Sequence, residues 1–73
     1  MKLREFQRAV ADEFGDFGRV LMRDTVLREL GNRTADEALR AGVDARAVWL
    51  ALCREQDVPR ERWHGAGLAE PRD

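Results

Sequence analysis

The chain has 73 residues, 44% of them hydrophobic and 37% charged, with a formal net charge of −1. That length supports one small domain and excludes folds that carry a separate cofactor-binding half. The apolar content is too high for a chain disordered throughout, and no run nears the ~20 apolar residues of a membrane helix.

Met1-Lys2-Leu3-Arg4-Glu5 does not read as a signal peptide, so a cytoplasmic protein is expected. Cys53 is the single cysteine, which excludes an internal disulfide and leaves packing to hold the core. The basic residues are twelve Arg and one Lys, and Ser, Tyr and Ile are absent. Arg and Ala have GC-rich codons, so this bias reads as a bacterial genome's composition rather than as nucleic-acid binding. Charge is balanced in both halves: seven basic and six acidic side chains in 1–33, six and eight in 34–73. The pI of 5.8 contrasts with the values above ~9 common in nucleic-acid domains, so strong phosphate binding is not expected.

Leu3, Phe6, Val10 and Phe14 recur at helical spacing and predict an amphipathic first helix. Gly15 and Gly18 flank a turn, with Asp16 as cap for a second helix bearing Phe17, Val20, Leu21, Leu27 and Leu30 and closing at Gly31-Asn32. Thr34-Ala35-Asp36-Glu37 fits a capping box that opens a third, short helix carrying Leu39. Gly42 ends it, with Val43 as the apolar residue of a Schellman stop. Asp44 then caps a fourth helix with Val48, Trp49, Leu52 and Cys53, which stops before Pro59. A short turn through Arg60–Trp63 follows. No strand alternation is evident, and 64–73 reads as a flexible tail. The expectation is an all-α domain over 1–63, three main helices plus one short one, with the apolar residues named here as its core.

No catalytic site, metal site or cofactor is expected. Thr25 and Thr34 are the only hydroxyl side chains, His64 is the only imidazole, and Cys53 shares an apolar helix face with Trp49 and Leu52. Zinc needs more Cys or His than one of each. The acidic neighbours Asp12/Glu13, Asp36/Glu37 and Glu55/Asp57 point in different directions, and Gly15, Gly18 and Gly31 fit no phosphate-cradling loop.

Two binding readings remain. Ala38, Gly42 and Val48 have the A-x3-G-x5-V spacing of a helix-turn-helix unit, in which Arg46, Leu50 and Arg54 would face DNA. Against it stand the acidic balance, Glu37 at a position that wants an apolar residue, and the lack of Asn or Gln early in the helix. The other is a protein partner: the fourth helix is apolar over more than one face, and Arg46, Trp49, Leu50, Arg54 and Trp63 combine aromatic and aliphatic anchors with arginines. Trp49 serves either the core or the surface, and Trp63 either docks on the bundle or stays free.

Phe14-Gly15, Leu30-Gly31-Asn32-Arg33-Thr34, Glu37-Ala38-Leu39, Gly42-Val43, Val48-Trp49, Ala51-Leu52-Cys53 and Asp57-Val58-Pro59 together resemble a family of short actinobacterial proteins known only as a domain of unknown function. Some of its members are encoded near the genes of the recombinase and its regulator. The resemblance spans residues 1–63 and implies a small helical fold and a bacterial host, with no catalytic residues. Asn32 stands where the family has a second Gly, and Leu50 where a basic residue follows the Trp. The resulting expectation is a non-enzymatic interaction or adaptor protein, with helix-turn-helix DNA binding as the alternative.

Overall fold

The computed structural model describes residues 1–63. They form α1 (Leu3–Phe14), α2 (Phe17–Asp24), β1 (Val26–Leu27), a 3-10 turn (Arg28–Leu30), β2 (Arg33–Thr34), α3 (Ala35–Arg40), α4 (Ala45–Glu55) and a second 3-10 turn (Arg60–Arg62). The fold is thus mostly helical with one small two-stranded sheet. The expected tail, 64–73, lies outside the described residues.

In α1 the Glu5 carboxylate accepts from the Lys2 backbone N–H at 2.9 Å, satisfying one orphan donor of the first turn. Phe6, Ala9 and Val10 form its buried stripe. Gly15, at φ +59°, breaks the helix and lets the chain reverse into α2. Gly18 is buried where α2 crosses α1, and a Cβ there would lie 2.6 Å from Val10 Cγ1. The residue that weakens the first turn of α2 is therefore the one that lets the two helices touch.

α2 does not run on to Leu30 as its periodicity suggests. It ends at Asp24, and Thr25 is already extended at φ −83°, ψ 121°. Thr25 and Val26 are β-branched and lose side-chain freedom in a helix, so the extended form suits them. Val26 pairs with Thr34 and Leu27 with Arg33, antiparallel. Between them the chain is turned by two left-handed residues, Gly31 at φ +77° and Asn32 at φ +60°. Asn tolerates that conformation better than other side chains, which accounts for its standing in place of a glycine.

Thr34 ends β2 and caps α3. Its hydroxyl accepts from the Glu37 N–H at 3.2 Å, and the Glu37 carboxylate accepts from the Thr34 N–H at 2.9 Å. These bonds hold the Glu37 carboxyl below its ordinary pKa, the backbone one foremost. α3 stops in a full Schellman motif: Gly42, at φ +92°, donates to Leu39 at 3.1 Å and Val43 donates to Ala38 at 3.0 Å. Asp44 precedes α4 without a side-chain capping bond.

α4 ends in the same way without a glycine. Asp57 takes φ +54°, donating to Arg54 at 3.2 Å while Val58 donates to Cys53 at 2.9 Å. The helix is stopped by this motif, and Pro59 only follows it.

The core gathers Phe6, Leu21, Leu27, Val48, Trp49 and Leu52, with alanines 9, 35, 38, 45 and 51, Cys53 and Val58 filling close approaches. Phe14, Leu30 and Leu39 pack on it half-buried. Three residues expected in the core are at the surface instead: Leu3 is 53% exposed, Phe17 58% and Val20 37%. Gly18 and Leu21 point inward from α2, so the neighbouring face with Phe17 and Val20 turns out.

Candidate interaction surface

Trp49 lies at the centre of the core, 1% exposed, so of the two places open to it in the sequence, core or surface, it takes the core. Phe6 and Phe14 pack edge-on against its ring, with centroids 6.4 and 6.3 Å away. Its indole N–H donates to the backbone carbonyl of Trp63. A buried tryptophan needs such a partner, and here the partner comes from fourteen residues along the chain.

Trp63 docks on the bundle, half-buried. Its own indole N–H donates to the Val58 carbonyl at 2.6 Å. The guanidinium carbons of Arg54 and Arg60 stand 5.6 and 5.3 Å from its ring centroid, within cation–π reach. Arg54 also grips Glu29, its Nε donating to both carboxylate oxygens at 3.0 and 3.1 Å. Arg62 forks onto Glu13, Nε to Oε1 at 3.2 Å and Nη2 to Oε2 at 3.1 Å. Of the five expected surface residues, Trp49, Trp63 and Arg54 thus come together, but in contacts that hold the chain's own end. Leu50 is half-buried against the core, and Arg46 is exposed, with no ion pair among the described residues.

Cys53, one turn on from Trp49 along α4, is buried as well. Burial pushes its thiol up to about 12, the nearby Glu13 carboxylate adds to this, and Arg54 opposes it. Such a thiol is neutral at physiological pH and unsuited to attack. His64, the one imidazole of the sequence, lies outside the described residues. Among the described residues no group of three or more His, Cys, Asp or Glu side chains is placed to hold a metal ion, and no helix is long and apolar enough to cross a membrane.

The apolar surface that periodicity had hidden lies on α2. Phe17 and Val20 are one turn apart and share a face, with Val26 also open at 48%. On the other flank of α2, a groove of about 530 Å³ runs against α1, floored by Phe6, Val10 and Gly18. A rival stripe in the sequence, Gly18, Leu21 and Met22 at spacings of three and four, was the available sign that Phe17 and Val20 face out.

The fold and its surface define a small, mostly helical domain with a fully apolar interior and two unequal apolar outlets, one self-satisfied at Trp63 and one open on α2. Residues 1–61 match the family described as Protein of unknown function (DUF3046), and the chain belongs to it. No curated protein and no solved structure matches the chain. Arg62 and Trp63, which close the corner over Trp49, fall just past the matched region.

Proposed function

We propose that this protein is a non-enzymatic interaction protein of the bacterial cytoplasm, whose partner is another protein. The observation that carries this reading is the open α2 face, Phe17 at 58% and Val20 at 37% exposed on one side of an eight-residue helix. Single exposed hydrophobes are ordinary, but a phenylalanine and a valine one turn apart form a joint apolar ridge. Burying it against a partner would recover ~25 cal/mol for each Å2 of apolar area removed from water. On α4, Leu50 and Arg46 supply a second contact, while Arg54 and Trp63 already have partners within the chain. The arginine-rich composition and the resemblance set out above favour an actinobacterial host. Burial, which raises the Cys53 thiol, argues against its use as a nucleophile.

The alternative, a helix-turn-helix DNA-binding protein, has one observation in its favour. Ala38 and Val48 are fully buried on either side of a left-handed Gly42, the roles that the signature gives them. The solvent face of α4 nevertheless offers Arg46 as its one unpaired cation among the described residues, and Asp44 stands at its start. That is poor provision for a phosphate backbone. Capture from host lysate after mild cross-linking, with and without nuclease, separates the two. A defined protein retained through nuclease treatment supports the interaction reading; capture that vanishes with nuclease overturns it in favour of DNA.

A further inference from the structure

The chain beyond α4 is fastened differently from the rest of the fold. The last carbonyls of α4 are already satisfied when Asp57 donates to Arg54 and Val58 to Cys53, so nothing after Val58 is needed to close the helix. Pro59, Arg60, Glu61 and Arg62 are exposed, and the segment buries apolar surface only through the half-buried Trp63. What holds it is a small set of polar grips, together with the Arg54 guanidinium carbon 5.6 Å from the Trp63 ring centroid. Arg62 forks onto Glu13 at the end of α1, the Trp49 indole donates to the Trp63 carbonyl, and the Trp63 indole donates back to Val58. Beneath them lies Trp49, and one turn further along α4 comes Cys53, likewise fully buried, with the Glu13 carboxylate that Arg62 grips close to its thiol.

We infer that residues 59–63 form a strap that opens as a unit about Pro59, uncovering Cys53 and the indole edge of Trp49 while the helical body stays folded. Segments with few apolar contacts and exposed backbone open locally at lower cost than the whole molecule. Opening removes no helix-ending bond, and the one buried group it leaves without a protein partner, the Trp49 N–H, is then accessible to water. Val58 is buried and bonded to Cys53, so the body ends there and Pro59, the first exposed residue after it, is the pivot. The device is independent of any partner, because thiol access reports it directly.

Cys53 is its built-in reporter. In the closed form the thiol is covered and protonated, so a disulfide reagent at pH 8 reacts only through opening. The test is the labelling rate of the full-length protein with an aromatic disulfide, beside its urea unfolding curve. Arg62→Ala is expected to speed labelling by about tenfold or more, since a charged fork is lost, with a smaller change in the unfolding equilibrium. Should Arg62→Ala fail to fold, Arg62→Lys keeps the charge but cannot fork onto Glu13, leaves the carboxylate beside the thiol in place, and is expected to speed labelling in the same direction. Labelling that follows the global unfolding constant in the native protein and in these variants would overturn the strap, because Cys53 would then open only with the entire fold.

Discussion

Gly18 is the residue on which the α1–α2 crossing turns. Alanine ordinarily improves a helix interior over glycine by ~1 kcal/mol. Here the added Cβ would sit 2.6 Å from Val10 Cγ1, a stiff β-branched atom that cannot swing aside. Overpacking of this kind costs ~1–3 kcal/mol, so Gly18→Ala is expected to lower stability by about 1 kcal/mol in urea denaturation. In a Val10→Ala background the obstructing methyl is gone, and the same change should stabilise. A stabilising Gly18→Ala in the native background would show that the helices do not approach this closely. Cys53 supplies a second test at this scale. Its ordinary pKa is 9.0 and its folded value about 12. Below pH 9 both states hold the proton; above it the unfolded chain loses the proton first and is favoured. Stability should therefore fall as pH rises from 9 towards 12, by up to about 1.4 kcal/mol per pH unit, and Cys53→Ala should remove this part of the slope. Equal slopes in the two proteins would mean that the thiol is not buried.

At the scale of elements, legibility follows distance along the chain. The Thr34–Glu37 box and the Gly42 stop are readable because every atom involved lies within a few residues. Removing the cap by Thr34→Ala should cost ~1 kcal/mol in thermal or urea unfolding. Since Glu37 is held below its ordinary pKa, its contribution is present above the usual carboxylate range and lost as pH falls through the folded value. Glu37→Gln should flatten the acid limb of the stability profile; an unchanged limb would place the carboxylate outside the box. The end of α2 was not readable, because Leu27 and Leu30 continue its helical spacing. What ends it is the pairing of Val26–Leu27 with Arg33–Thr34, a contact that periodicity does not contain. The orientation of α2 was ambiguous for a related reason. Phe17 with Val20 and Gly18 with Leu21 are equally good stripes, and the glycine wins because only it permits contact with Val10. Trp49 illustrates the same limit on α4: its neighbours suggested a surface, while the groups that bury it are Phe6, Phe14 and Trp63 from distant parts of the chain.

For the whole molecule, these placements decide which surface is left to act. The arginines and tryptophans of the C-terminal corner are engaged with Glu13, Glu29 and one another, whereas Phe17 and Val20 stand exposed, with no such contact among the described residues. Binding by this protein should accordingly depend weakly on salt, in contrast to the steep loss that counterion release imposes on DNA complexes. Titration of the captured partner at low and moderate salt checks this, and a fall of several decades would point back to phosphate contacts. The most direct measurement is partner affinity for purified Phe17→Asp beside Leu50→Asp, each with its melting curve. The account predicts that Phe17→Asp melts like the native protein and loses at least about tenfold in affinity, as removal of an apolar anchor does. Unchanged affinity in a folded Phe17→Asp would contradict it, and loss confined to Leu50→Asp would move the surface to α4.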